Sequence, residues 1–292
     1  MFHGTFTALV TPFRNGEIDF AAFEKLIDGQ ISAGISGIVA VGTTGESPTL
    51  THNEKEQVIE RAIKSGKGRC KVLAGTGTNS TRDSVDATKF AEKTGADGAL
   101  VVAPYYNKPS QEGLFRHFKE IAESTALPLM LYNIPGRCGV DIAADTVLRL
   151  AEACPNIVCI KEASGSVERV GELRRRLPDK FTILSGDDSL TLPFMSVGAA
   201  GVVSVASNLF PAELCSLVRA CEKGDYSSAR SQHRKLLPLF KDLFIEPNPV
   251  PAKTALAWRG AMSSEVRLPL CEMSEANQAR LRKTFEEFEK AK

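Results

Sequence analysis

Thr94-Gly95-Ala96-Asp97-Gly98-Ala99-Leu100-Val101-Val102 is the stretch on which the fold turns. A glycine stands where a helix should stop, a short loop follows, and a buried, β-branched run comes next. The same pattern recurs in Ala33-Gly34-Ile35-Ser36-Gly37-Ile38-Val39-Ala40-Val41 and in Val197-Gly198-Ala199-Ala200-Gly201-Val202-Val203-Ser204-Val205. The three leading glycines are separated by roughly two and three-plus βα units of about 30 residues each. Runs of the same kind fill the gaps. Strands are expected near Thr5–Val10, Ile38–Val41, Lys71–Ala74, Ala99–Val102, Leu129–Tyr132, Ile157–Ile160, Thr182–Leu184 and Val202–Val205.

Amphipathic helices separate these strands. Asp19 is placed to cap a helix carrying Phe20, Phe23, Leu26, Ile27 and Ile31. Thr51 and Glu54 form a capping box ahead of Val58, Ile59, Ala62 and Ile63. Ser110 precedes a helix with Leu114, Phe115, Phe118 and Ile121. Strands alternating with helices in this way predict a (β/α)8 TIM barrel. An open, doubly wound sheet is disfavoured, because no G-x-G-x-x-G loop follows any strand. The barrel is expected over residues 1–224. Residues 225–292 read as a C-terminal helical region that packs on the barrel or on a partner subunit.

Composition narrows the function. The chain has 292 residues, 36 Lys plus Arg against 35 Asp plus Glu, and a formal net charge of +1. No basic stripe argues for nucleic acid, and no polybasic run argues for a membrane surface. No apolar run is long enough to span a bilayer, and Met1-Phe2-His3-Gly4 opens nothing like a signal peptide. The seven cysteines form no C-x-x-C pair and sit mostly in apolar contexts, as expected of free thiols in a reducing cytoplasm.

Chemistry in such a barrel collects at the C-terminal ends of the strands. The run Ile157-Val158-Cys159-Ile160 ends on Lys161. A lysine there is desolvated, which disfavours the ammonium form. A neutral amine can attack a carbonyl carbon and form a Schiff base. The plainer alternative is an ion pair with Glu162 or another carboxylate at a strand end. Gly42-Thr43-Thr44-Gly45-Glu46-Ser47, after the second strand, offers amides and hydroxyls to a small carboxylate. It lacks the lysine of a P-loop. Tyr105, Tyr106 and Tyr132 stand at strand ends, where phenols beside a threonine hydroxyl can move protons for Schiff-base chemistry. Arg137 suits bidentate binding of a carboxylate. Ser185-Gly186-Asp187-Asp188 reads as a loop and helix start, and none of the four histidines has metal-site spacing.

Together Gly42–Ser47, Pro104-Tyr105-Tyr106-Asn107, Tyr132-Asn133-Ile134-Pro135-Gly136-Arg137, Ile160–Gly165 and Leu184–Asp188 closely resemble the dihydrodipicolinate synthase family. The resemblance covers essentially the whole chain, including Glu246-Pro247-Asn248-Pro249. It implies a class I aldolase-type lyase of lysine and diaminopimelate biosynthesis, which condenses pyruvate with L-aspartate 4-semialdehyde. It implies no cofactor beyond a covalent Schiff base of pyruvate on Lys161. Thr43, Tyr132 and Tyr106 match the family's proton-relay triad, with Tyr106 near a subunit interface. Thr44 matches a contact to the pyruvate carboxylate, Gly186 and Val203 line the pyruvate site, and Arg137 holds the semialdehyde carboxylate. Tyr105 matches the aromatic that crosses a tight dimer interface, and the implied assembly is a homotetramer, a dimer of dimers.

The resemblance also implies a possible L-lysine effector site at Ser47, His52, Asn79 and Tyr105. Lys55, Asp83 and Pro48 stand where inhibited members often carry histidine, glutamate and alanine. The positive charge of Lys55 disfavours an effector ammonium, so weak or absent inhibition is expected. Sibling pyruvate-dependent lyases, such as N-acetylneuraminate lyase and keto-deoxy sugar-acid aldolases, are the alternative activity, and they resemble this chain poorly at Arg137. A non-catalytic keto-acid-binding barrel would show a degraded site. A phosphate-binding barrel would need glycines that Ser204-Val205-Ala206-Ser207-Asn208 lacks.

Overall fold

The computed structural model describes residues 2–290, so the outermost residues of the two expected regions lie outside the described residues. Eight parallel strands close into a barrel. They are β1 (Gly4–Ala8), β2 (Gly37–Ala40), β3 (Lys71–Gly75), β4 (Gly98–Val102), β5 (Leu129–Asn133), β6 (Ile157–Glu162), β7 (Thr182–Ser185) and β8 (Gly201–Ser204). Each pairs with its neighbours in chain order, and β8 returns to β1 with Gly4 opposite Gly201. This is the expected TIM barrel. A small antiparallel hairpin, Phe13–Arg14 with Glu17–Ile18, follows β1 and was not foreseen.

The repeat glycines act as the sequence suggests. Gly34, Gly95 and Gly198 all adopt positive φ, and Gly95 N–H closes its helix on Ala91 O and Glu92 O. The second glycine of each repeat answers a different need. A Cβ at Gly37 would meet the Phe6 ring at 2.4 Å, and one at Gly98 the Phe2 ring at 2.7 Å. These two phenylalanines pack edge to face in the barrel interior.

Side chains alternate between two cores, as the strand period requires. Phe6, Val39, Leu73, Leu100, Met130, Cys159, Leu184 and Val203 fill the barrel. Ile38, Val72, Ala99, Leu131, Ile160, Ile183 and Val202 face outward, under the helices. The capping residues take their expected places: Asp19 accepts from Ala22 N–H, Thr51 and Glu54 form the capping box, and Ser110 accepts from Gly113 N–H.

Beyond the barrel lie three further helices, Tyr226–Asp242, Val250–Trp258 and Glu275–Lys290. Ala229, Leu236, Leu239 and Phe240 bury one face of the first. In the second, Val250 through Leu256 are all buried, and the only charge among them is Lys253. The seven cysteines are free, most of them buried, with Cys271 exposed. Among the described residues no helix is long and apolar enough to cross a membrane.

Candidate active site

Lys161 is the inward-facing residue two places beyond Cys159 on β6, so it points into the barrel mouth. In register it lies between Tyr132 of β5 and Leu184 of β7. Only 5% of it is exposed. Burial drives its pKa down from 10.5 to about 7; Asp188 opposes that shift and the Arg137 charge adds to it. The amine lies 4.0 Å from the centre of the Tyr132 ring. Gly186 makes room for this side chain. A Cβ there would stand 3.1 Å from Lys161 Cε and 2.8 Å from Ala163 Cβ.

The plainer reading of Lys161 as an ion-pair partner of Glu162 does not hold. Adjacent strand residues face opposite ways, and Glu162 points outward into the barrel wall. There it accepts from Arg169 Nε at 2.8 Å, Ser164 N–H at 2.7 Å and Asn133 Nδ2 at 3.1 Å. Asn133 also reaches Asp141 at 2.6 Å and accepts from Ile142 N–H at 3.0 Å. This network anchors both ends of the segment that carries Arg137.

Tyr132 is fully buried, and burial pushes its phenol pKa up, so the ring oxygen keeps its proton. Thr43 is hydrogen-bonded to that phenol, and the Arg137 charge works against the upward shift. Asp188 is buried as well. Burial pushes it up to about 6 against the pull of three hydrogen bonds, including Val205 N–H at 3.0 Å and Ala206 N–H at 2.9 Å. Asp187 caps the helical turn Asp188–Leu190, so the paired aspartates form the loop and helix start read from the sequence.

A cavity of about 250 Å³ opens over this group. Gly42, Thr43, Tyr105, Tyr132 and Arg137 are among its lining residues. Lys161 lies against the Tyr132 ring, Gly186 lies against Lys161, and Val203 is buried in the barrel interior. Thr44 is buried next to the lining Thr43, and its hydroxyl accepts from Asn248 Nδ2 at 3.0 Å.

Tyr105 lines the cavity of its own chain and is hydrogen-bonded to the Asn79 backbone. Tyr106 adopts φ +74°, which turns its ring away, and 89% of it is exposed. Tyr106 therefore does not meet Thr43 and Tyr132 within one chain. A second cavity, about 230 Å³, holds Ser47, His52, Lys55 and Asp83, and it shares Ser47, Gly75 and Gly77 with the first. Neither Asn79 nor Tyr105 lines it. Lys55 is half-buried; burial lowers its pKa, and nearby Asp83 works against that.

Sequence reasoning missed Asn133, Glu162 and Arg169, and it missed Glu46 with Lys253. Lys253 Nζ meets Glu46 Oε1 at 2.6 Å with both side chains 0% exposed. The one available signal was a single charge inside an otherwise apolar helix.

A closed parallel barrel with a desolvated amine, a buried phenol and an arginine at its strand ends defines a (β/α)8-barrel enzyme with its chemistry in the mouth. The chain belongs to the dihydrodipicolinate synthetase family, whose model matches residues 1–288, and it is a lyase of that family. It is 51% identical over 288 residues to the 4-hydroxy-tetrahydrodipicolinate synthase of Endomicrobium trichonymphae, covering 99% of each chain. It is 54% identical over 281 residues to the enzyme of that name from Thermodesulfovibrio yellowstonii, covering 96% of each. The solved structure of the Methylacidiphilum fumariolicum enzyme superposes with a TM-score of 0.98 at 56% identity, over 99% of this chain and 97% of that one.

Proposed function

We propose that this chain has 4-hydroxy-tetrahydrodipicolinate synthase activity, condensing pyruvate with L-aspartate 4-semialdehyde through a Schiff base on Lys161. The observation that carries this reading is the desolvated Lys161 amine beneath the protonated Tyr132 phenol, with Thr43 bonded to that phenol. The neutral amine attacks the ketone carbon of pyruvate. Tyr132 gives a proton to the carbinolamine oxygen, which leaves as water, and the imine forms. The imine draws electrons from the methyl group, which loses a proton to become an enamine carbon. That carbon attacks the aldehyde, and the new alkoxide takes a proton. Arg137 binds the acceptor carboxylate. The acceptor amine then adds to the imine carbon, and Lys161 leaves as the ring closes.

Tyr106 enters this scheme only from a second copy. Support for a pairing of two copies, as in the expected dimer of dimers, comes from its outward-turned, 89% exposed ring, which belongs to the relay in the family pattern. Tyr106→Phe should then lower turnover although its own cavity is intact. The free cysteines fit a reducing cytoplasm. At the second cavity, Lys55 disfavours a further ammonium, so L-lysine should inhibit weakly or not at all. Half-inhibition well below a millimolar would overturn that.

The test of the main reading is pyruvate-dependent consumption of L-aspartate 4-semialdehyde, coupled to a reductase that oxidises NADPH. Borohydride reduction with pyruvate should add a pyruvate-derived mass to the peptide containing Lys161. Capture on another lysine, or none, would refute the assignment.

A further inference from the structure

The C-terminal extension reaches the loop that carries Thr43 and Thr44 by two routes. Lys253 Nζ donates to Glu46 Oε1 at 2.6 Å and to Thr11 O at 2.9 Å, and it lies 4.1 Å from the centre of the Phe13 ring. The other Glu46 oxygen accepts from Arg267 N–H at 3.0 Å, and Thr11 Oγ1 donates to Gly45 O at 2.7 Å. The loop these bonds hold is strained. Val41 at φ +60° and Glu46 at φ +55° bracket the two threonines in left-handed backbone, which a β-branched residue adopts only when its surroundings force it.

The second route is Asn248. Its Nδ2 donates to Thr44 Oγ1 at 3.0 Å, while its Oδ1 is buried without a partner. A hydroxyl has one proton and two lone pairs. With one lone pair taken by the Asn248 amide, the Thr44 proton stays free to donate to another acceptor. Without Asn248 the hydroxyl rotates, and a carboxylate must order it on binding.

We propose that Asn248 and Lys253 are positioning residues for the keto-acid carboxylate: Lys253 fixes the Thr43–Thr44 loop through Glu46, and Asn248 sets the Thr44 hydroxyl as a donor. This rests on the pyruvate reading above. It gives the helical extension a part in substrate binding that its sequence did not suggest.

The test measures pyruvate KM, semialdehyde KM and borohydride trapping at graded pyruvate, with melting temperature as the check on folding. Asn248→Ala should raise pyruvate KM about tenfold, the loss of one ordered hydrogen bond to a charged group, and leave semialdehyde KM within about twofold. Asn248→Asp, which keeps the shape, should be worse than Asn248→Ala, because its carboxylate accepts the Thr44 proton and repels the substrate. In a Thr44→Val background, Asn248→Ala should add nothing. Glu46→Gln with Lys253→Met neutralises both buried charges together, and it should raise pyruvate KM while the protein stays folded. Independent, multiplying effects of Asn248→Ala and Thr44→Val would overturn the proposal, as would an unchanged pyruvate KM in Asn248→Asp. If the unaltered enzyme traps no pyruvate, the parent reading fails; if it traps pyruvate and the variants match it, this inference alone fails.

Discussion

Replacing Lys161 with methionine should make the protein more stable at neutral pH while removing its activity. Burial holds the amine at about 7, against 10.5 for a free lysine. Between those values the unfolded chain binds a proton that the folded chain does not. Stability therefore rises with pH across that window, and the cost of burying the amine is complete below it. At 1.36 kcal/mol per pH unit, the cost approaches about 5 kcal/mol in acid, is about 4 at pH 7 and falls to about 2 at pH 9. Methionine fills a similar volume with no charge to desolvate. Urea unfolding followed by the fluorescence of Trp258, the only tryptophan, gives the comparison at both pH values. The Lys161→Met protein should unfold at higher urea than the unaltered enzyme, by a margin that shrinks from pH 7 to pH 9. A variant less stable at pH 7, or a margin indifferent to pH, would refute the argument that Lys161 is held neutral by burial. The same displacement sets the chemical gain: about half of the amine is unprotonated at pH 7, against about one in 3,000 for a free lysine.

Arg137→Leu removes a charge that helps hold the proton off Lys161, so the acid limb of pyruvate trapping should move to higher pH. Its semialdehyde KM should rise about 30-fold or more, read from steady-state kinetics, through loss of the carboxylate contact. Gly186→Ala places a Cβ 3.1 Å from Lys161 Cε, so the amine must shift; kcat should fall about 10- to 100-fold with the circular dichroism unchanged. Glu54 is held at about 2, below its ordinary 4.5, chiefly by its hydrogen bonds to Arg267. Its contribution is present above pH 4.5 and is lost as pH falls through about 2. Glu54→Gln should therefore cost about 2 kcal/mol at pH 7, with melting temperatures converging as the pH drops.

The barrel was legible because each strand is a short apolar run, most of them with β-branched residues, bounded by a glycine or a turn, and the observed strands lie within two residues of the expected ones. The hairpin around Asn15-Gly16 was not, because its strands are two residues each and too short to show alternation. Lys161 was legible from its place at the end of a buried run. The partners of its neighbour Glu162 were not legible, because adjacency along a strand means opposite faces, and the groups that make a buried glutamate tolerable lie 7 and 29 residues away. Which of the two tyrosines faces its own cavity was not legible, because a single positive φ at Tyr106 decides it and no pattern of residue types announces it. Glu46 and Lys253 were invisible for the same reason in stronger form: a lone charge in an apolar helix signals a partner without naming it.

That pair also orders the protein in time. Glu46 and Lys253 are separated by 207 positions. At about 5–20 residues per second, a ribosome adds the lysine roughly 10 to 40 seconds after the glutamate. All eight strands, and the Lys161 amine with them, exist before the carboxylate under the threonine loop has its counter-charge. The threonine loop is thus completed by almost the last helix to be made. A chain that stops short of Lys253 holds a Glu46 carboxylate without the counter-charge it has in the finished fold.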